Sequence, residues 1–203
     1  WVEVSEVKNA LDVGTGSGII ALMVAQRGVG KVEAIEMDDD AATQAAENFA
    51  LSPWTGALGV RHITLQHFQP KVHYDLIITN PPYFENAYKA PTASRNMARH
   101  NDTLPLIDLI RFATVWLSTA GRLALILPID MENIAKEVAG KFGVHTHRCC
   151  YVKGNVSGEA KRVLLSFGRQ KVEPIVSELA IQTAPLKYTE EYMQLTKDFY
   201  LAF

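Results

Sequence analysis

The sequence predicts an α/β fold in which helices cover both faces of a mostly parallel sheet. Apolar strand-like runs alternate with segments of helical periodicity over residues 9–142. Two further strand-like runs then follow each other without a helix between them, which predicts an antiparallel pair at the end of the sheet. A length of 203 residues suits one domain, so residues 1–203 are expected to form a single domain.

The first four elements alternate strictly. Asn9–Val13 is a short apolar run that ends in glycines, as buried parallel strands do before a tight turn. Ile19–Arg27 has helical apolar spacing and stops at glycines, which terminate helices. Lys31–Met37 is predicted to be a second strand. Asp38–Phe49 is predicted to be a helix, because three acids open it where the helix dipole favours negative charge.

The next elements continue the alternation up to the final third of the chain. Three further strands are predicted at Val60–Leu65, Tyr74–Thr79 and Arg122–Leu127. Two further helices are predicted at Leu104–Leu117 and Met131–Phe142. His145–Val152 and Arg162–Phe167 form the expected hairpin, joined by a loop rich in Gly, Asn and Ser. Thr189–Leu201 is predicted to be a terminal helix.

Composition excludes several classes of protein. A content of 48% apolar and 21% charged residues excludes a disordered chain, and 20 basic against 22 acidic residues argues against indiscriminate binding to nucleic acid. The longest uncharged apolar run, Ile19–Ala25, is too short to span a bilayer. The two adjacent cysteines suit neither a zinc site nor a disulfide scaffold, and we expect no metal and a cytoplasmic location.

Glycines alternate with other residues between the first strand and the first helix. Gly14, Gly16 and Gly18 allow a tight turn and close approach of the backbone to a ligand. The dinucleotide fingerprint requires a glycine at position 19, where this chain has Ile19, so a diphosphate ligand is disfavoured. A glycine turn that binds nothing remains the alternative.

An acid ends the second predicted strand. Glu36 can accept hydrogen bonds from two ribose hydroxyls, and Met37 beside it can pack on an adenine face. The alternative is that Glu36 is only the first of several acids at a helix start. Because the glycine turn precedes it, the ribose interpretation is preferred.

The most specific motif is Asn80-Pro81-Pro82-Tyr83, directly after the fourth strand. The prolines restrict the backbone, so the Asn80 side-chain oxygen and the Pro81 carbonyl form two acceptors of fixed direction. Two such acceptors suit a planar amino group, and Tyr83 offers a face on which a base can stack. A proline-rich surface turn is the alternative interpretation of this motif taken alone.

These motifs in this order resemble the class I S-adenosylmethionine-dependent methyltransferases that modify exocyclic or amide nitrogens. The runs LDVGTGSGIIALMVAQR, AAENFALSPW, DLIITNPPYF and RVLLSF resemble more closely the tRNA1(Val) adenine-37 N6-methyltransferase family. The resemblance covers essentially the whole chain. It implies a Rossmann-like sheet of seven strands with a reversed final strand, and it implies that the chain starts after an N-terminal segment of the family.

The resemblance also implies site residues. Asp12 and the glycine turn would hold the methionine part of S-adenosylmethionine, Glu36 its ribose, and Gln66 its adenine amine, with Met37 and Asn80 lining the cofactor. Catalysis would fall to Asn80, Pro81 and Tyr83. Substrate contacts would come from Pro82, Tyr83 and Phe84. Independently of the resemblance, the positive charges of Arg95 and Arg99 in the polar loop after this motif suit contacts to RNA phosphates.

The expected reaction is methyl transfer to the N6 amine of an adenine in a tRNA anticodon stem-loop, where bases can be reached. A glutamine-N5 protein methyltransferase and a cofactor-binding module without catalysis remain alternatives. The residues alone leave the oligomeric state open.

Overall fold

Within residues 1–81 and 105–200, which the computed structural model describes, nine strands form one sheet. The strands are β1 Asn9–Val13, β2 Lys31–Glu36, β3 Leu58–His62, β4 Tyr74–Thr79, β5 Leu117–Pro128, β6 His145–Asn155, β7 Ala160–Gly168, β8 Ile175–Ala184 and β9 Lys187–Tyr188. The helices of these ranges are α1 Ile19–Gln26, α2 Asp39–Leu51, α3 Leu106–Trp116, α4 Glu132–Lys141 and α5 Glu190–Thr196, with a 3-10 turn at Ile129–Met131. None of the helices in the described ranges has the length and hydrophobicity of a membrane-spanning segment.

The sheet has the order β3-β2-β1-β4-β5-β7-β6-β8-β9. The first five strands in this order are parallel, and β7 runs antiparallel between β5 and β6. This confirms the predicted, mostly parallel sheet and the antiparallel hairpin of β6 and β7. In parallel sheets each strand returns through a crossover connection, which explains why strand and helix alternate in this part of the sequence.

The expected number of seven strands is wrong, because β8 and β9 extend the sheet beyond β6. β8 pairs parallel to β6, and the two-residue β9 pairs antiparallel to β8. Only Leu179 of β8 is buried, and most of its other side chains are partly or fully exposed. A strand held at the edge mainly by backbone pairing has no clear apolar pattern, so its sequence does not predict it.

Helices cover both faces of the sheet, as predicted. On one face, here called the α3/α4 face, Ile77, Leu125 and Leu165 pack with buried residues of α3 and α4. On the other, the α1/α2 face, Leu76 and Ala124 pack with buried residues of α1 and α2. Because successive side chains of a strand point to opposite faces, neighbours such as Leu76 and Ile77 belong to different cores.

The carboxyl ends of β1, β2 and β4 lie at one edge of the sheet. Asp12 of β1 is in register with Ala34 of β2 and with Ile78 of β4. The residues that follow these strands therefore come together although they are far apart in sequence. Ligands of open α/β sheets bind at this edge.

Candidate active site

Three glycines in left-handed conformations form the turn between β1 and α1. The φ angles of Gly14, Gly16 and Gly18 are 68°, 56° and 87°. The N–H groups of Gly14 and Thr15 both donate to the carbonyl of Ile35 at 2.9 and 3.1 Å, which fastens the turn to β2. A side chain would strain each of these backbones, so the turn requires its glycines.

The three glycines differ in what surrounds them. A Cβ added at Gly14 or Gly16 would meet nothing within 4 Å, so open space borders the turn there. A Cβ at Gly18 would lie 2.4 Å from Cε1 of Phe49, a buried residue of α2. Gly14 and Gly16 thus leave room for a ligand, whereas Gly18 allows α1 and α2 to pack closely.

Replacing Gly18 with alanine is expected to lower the free energy of unfolding by about 2–4 kcal/mol, because overpacking adds to the cost of a left-handed alanine. Urea denaturation measures the loss. Gly28→Ala is the matched control, since its φ of 96° is also positive and a Cβ there meets nothing within 4 Å. Equal losses of stability in Gly18→Ala and Gly28→Ala would show that Phe49 moves aside without cost.

Asp12 is a fully buried carboxylate at the end of β1. Its Oδ2 accepts hydrogen bonds from the Thr15 hydroxyl at 2.6 Å and from the Ala21 N–H at 3.1 Å. Its Oδ1 is also buried and has no partner among the described residues. Burial, reinforced by the charge of Glu36, raises the pKa of Asp12 to about 7, although the hydrogen bonds from Thr15 and Ala21 oppose this.

The unpartnered oxygen fits the expected role of Asp12. Buried polar atoms normally have partners, and an acceptor without one suits a ligand that supplies a donor. A buried charge beside another acid also reduces stability, which indicates a functional reason for keeping it. A ligand ammonium group matches both its charge and its free acceptor.

Glu36 connects the end of β2 to the glycine turn. Its Oε2 accepts from the Gly16 N–H at 2.8 Å, and its Oε1 accepts from the N–H groups of Met37 and Asp38 at 2.8 and 3.0 Å. Its side chain is nearly buried, with 8% exposure. Because a carboxylate has about four acceptor positions, roughly one remains on Oε2 for a ligand hydroxyl. A second hydroxyl would have to replace the Gly16 N–H.

Met37 and Gln66 lie at the surface near this edge. The Met37 side chain is 47% exposed, and its carbonyl bonds His62 Nε2 at 3.0 Å. Gln66 Nε2 donates to Asp108 Oδ2 of α3 at 3.0 Å, which leaves Gln66 Oε1 as an acceptor. The sequence analysis missed Asp108. Its signal is a carboxylate in the first turn of a predominantly apolar helix.

Asn80 and Pro81 follow β4 at the same edge. The hydroxyl of Thr79, the last residue of β4, donates to the carbonyl of Val13 at 2.7 Å, which joins the end of β4 to the glycine turn. Asn80 is exposed and Pro81 is buried. The structure therefore brings Asp12, the glycine turn, Glu36 and Asn80 to one edge.

Five predicted residues, Pro82, Tyr83, Phe84, Arg95 and Arg99, lie outside the described residues. Among the described residues no group of three or more His, Cys, Asp or Glu side chains could hold a metal ion. Two grooves, of about 350 and 410 Å³, lie elsewhere. The first runs along α1 and α2, and the second lies beside β2 and β3.

Residues 2–143 match the methyltransferase small domain family. The tRNA1(Val) (adenine(37)-N6)-methyltransferase of Flavobacterium johnsoniae is 42% identical over 195 residues, which cover 94% of this chain and 83% of that protein. The enzyme of the same name from Parabacteroides distasonis is 38% identical over 204 residues, covering 99% of this chain and 86% of that protein.

Solved structures agree in fold. A structure described as a predicted O-methyltransferase from Agrobacterium tumefaciens has a TM-score of 0.69 at 18% identity, covering 96% of this chain and 90% of that one. A ribosomal protein L11 methylase from Lactobacillus delbrueckii has a TM-score of 0.60 at 19% identity, covering 84% and 73%. These two structures support the fold alone. The matches in sequence establish that the chain belongs to the methyltransferase small domain family, among its tRNA1(Val) (adenine(37)-N6)-methyltransferases.

Proposed function

We propose that this protein transfers a methyl group from S-adenosylmethionine to the N6 amine of an adenine in tRNA. The observation that carries the proposal is the match along almost the whole chain to enzymes named for this reaction. The edge formed by Asp12, Glu36 and Asn80 supports it, because it joins a glycine turn to an acceptor suited to an amino group. The finer target, nucleotide 37 in the anticodon loop of tRNA1(Val), is proposed from the names of these relatives.

The residues present fit S-adenosylmethionine. Asp12 would accept from its ammonium group through Oδ1, and Gly14 and Gly16 leave open space beside the turn. Glu36 would accept from a ribose hydroxyl, with Met37 against the adenine ring and Gln66 Oε1 toward the adenine amine. When bound, this cofactor supplies a methyl group on a sulfonium sulfur, which is an activated electrophile.

The protein's part in the reaction is mainly positioning. The Asn80 side-chain oxygen and the Pro81 carbonyl would accept the two hydrogens of the target amine, which directs the nitrogen lone pair away from the ring. Tyr83 would stack on the base. Holding reactants in an aligned geometry is the main source of acceleration in such a displacement. A methylated amine cation loses a proton readily, so the proposal requires no dedicated base.

One experiment distinguishes the candidate functions. The protein is incubated with radiolabelled S-adenosylmethionine and either tRNA or a protein rich in accessible glutamine amides, such as a release factor. Label in N6-methyladenosine of the tRNA supports the proposal. Label in the protein would support glutamine methylation, and binding of cofactor without any transfer would support a binding module. A synthetic anticodon stem-loop with its adenine at position 37 replaced by guanine tests the finer target.

A single methyltransferase domain over residues 1–203 is also proposed, together with action in the cytoplasm, where tRNA substrates are found. One continuous sheet, which connects strands from residue 9 to residue 188, supports this domain organisation. Limited proteolysis tests it. A single domain should yield no stable fragment from cleavage within the sheet, whereas two separately folded units would each survive as a fragment.

Replacing Glu36 with alanine is expected to weaken S-adenosylmethionine binding by about 10- to 100-fold, the usual effect of losing a hydrogen bond to a charged group. It also frees the N–H groups of Gly16, Met37 and Asp38, so the turn loses one of its hydrogen bonds to β2. Calorimetry measures the affinity. Asp40→Ala, which removes an exposed carboxylate from the start of α2, is the control. Unchanged affinity in Glu36→Ala would remove Glu36 from the site.

A further inference from the structure

An exposed arginine lies at the ligand-binding edge of the sheet, outside the residues considered above. Arg162 is near the start of β7, and in the antiparallel ladder it pairs with Pro128, the last residue of β5. β5 is the strand next to β4, whose end carries Asn80. The antiparallel direction of β7 therefore places its beginning at the edge where the parallel strands end.

The side chains of Arg162 and Asn80 fall on the same face. Val163 and Leu165 of β7 belong to the core of the α3/α4 face, so the alternation of the strand puts Arg162 on the α1/α2 face. Leu76 and Ile78 of β4 pack in the core of the α1/α2 face, and continuing their alternation puts Asn80 there as well.

The register gives the separation. Thr79 is in register with Leu125, so Asn80 lies two residues short of the level of Pro128 and Arg162. The backbones of Asn80 and Arg162 are therefore two strand spacings apart across the sheet and two residues apart along the strand direction. These offsets correspond to a distance of about 12 Å. An extended arginine side chain and one nucleotide together span such a distance.

The Arg162 guanidinium has no hydrogen bond or ion pair with any residue in the described part of the chain. A planar guanidinium with several donors matches a phosphate group better than any other side chain does. Because it is exposed and pairs with no other described residue, the guanidinium is available to an anionic ligand.

We infer that Arg162 binds a backbone phosphate of the RNA next to the adenine held at Asn80. The inference rests on the proposed function and adds a residue that positions the RNA substrate. Contacts to phosphates fix the register of a nucleic acid on a protein, whereas base contacts select the sequence. Arg162 would thus set where along the strand the target base enters.

The neighbouring residue provides a matched control. Lys161 is also exposed and basic, but it lies at an irregularity in the register of β6 and β7 and has no paired position on β5, whereas Arg162 pairs with Pro128. Arg162→Ala and Lys161→Ala remove the same charge from adjacent positions. A general electrostatic effect would appear in both variants, and a specific phosphate contact only in the first.

The test measures methyl transfer to an anticodon stem-loop at several salt concentrations, together with RNA binding by fluorescence anisotropy and S-adenosylmethionine binding by calorimetry. Arg162→Ala is expected to raise KM for RNA about tenfold and to reduce the salt dependence by about one phosphate contact, with kcat nearly unchanged. Arg162→Lys should recover part of the loss. Lys161→Ala should change KM less than about twofold, and neither variant should change cofactor affinity.

Equal effects of Arg162→Ala and Lys161→Ala, or an unchanged KM and salt dependence in Arg162→Ala, would overturn the inference. Failure of the proposed function has a different signature, because wild-type protein would then leave RNA unlabelled. In that event the anisotropy measurement still tests whether Arg162 contacts an RNA phosphate. Weaker RNA binding by Arg162→Ala than by Lys161→Ala would support the phosphate contact, and equal binding would refute it.

Discussion

Methyl transfer to tRNA is expected to fall by about 100-fold or more when Asn80 is replaced with alanine, on the scale seen when a positioned polar group is removed from an active site. The reason is that alanine removes the side-chain acceptor while the Pro81 carbonyl remains. Single-turnover assays with radiolabelled S-adenosylmethionine measure the change. Because Asn80 is exposed, little loss of stability accompanies it.

Two further measurements isolate the acceptor role of Asn80. Calorimetry should show cofactor affinity within about threefold of wild type, since a loss at the transition state alone leaves ground-state binding intact. Asn80→Asp keeps an acceptor oxygen and loses the amide donors, so it should retain more activity than Asn80→Ala. Full activity in the alanine variant would contradict the assignment, and equal inactivity of both variants would indicate that the amide donors matter instead.

Replacing Asp12 with asparagine is expected to weaken S-adenosylmethionine binding by about 10- to 100-fold, because the variant loses a charged acceptor for an ammonium group. The side-chain oxygen of the asparagine can take the position of Asp12 Oδ2 and still accept from Thr15 and Ala21, so the turn keeps its internal hydrogen bonds. The amide nitrogen of the asparagine then occupies the position of Oδ1, the oxygen of Asp12 that has no partner among the described residues. Calorimetry with the folded variant measures the affinity.

The same substitution has a distinct effect on stability. Since the folded-state pKa of Asp12 is raised to about 7 from 3.8, the folded protein binds this proton more tightly than the unfolded chain does. The contribution of Asp12 to the free energy of unfolding is therefore largest at pH values below 3.8, its pKa in the unfolded chain. This contribution declines as the pH rises from 3.8 to about 7.

The stability of wild type relative to Asp12→Asn should thus be lower at pH 8 than at pH 5 by about 2 kcal/mol. Urea denaturation at the two pH values measures this difference, and it involves no cofactor. A difference that does not depend on pH would show that Asp12 is ionised at both values. If Asp12→Asn bound S-adenosylmethionine more weakly but the stability difference did not depend on pH, Asp12 would still be a cofactor-binding residue, and its raised pKa would be rejected.

Much of the fold follows from local patterns. β1 and β4 have the predicted bounds, and α1, α2 and α4 differ from the prediction by one or two residues at their ends. These elements have strong apolar periodicity and clear stop signals. Asp38, predicted to open α2, caps it by accepting from the Ala41 N–H at 2.8 Å. Local propensity and tertiary packing agree in such segments, so the sequence is informative.

Other elements depend on their neighbours. β3 begins two residues earlier than predicted and ends at His62, because its extent is set by pairing with β2. β5 begins at Leu117 rather than Arg122, with an irregular register opposite Tyr74. A strand that joins a sheet mainly through backbone hydrogen bonds needs no apolar pattern in its sequence. For this reason the sequence does not predict β8 either.

The chemical groups offered at the site can be identified from the order of residues: a glycine turn, an acid one strand away, and an acceptor before two prolines. How these groups are used depends on the folded chain. Folding buries Asp12 and leaves one of its oxygens without a partner among the described residues, ties Glu36 to Gly16, and brings Arg162 to the edge that carries Asn80. Burial, hydrogen-bond partners and the register of strands arise between residues distant in the chain, and no local pattern encodes them.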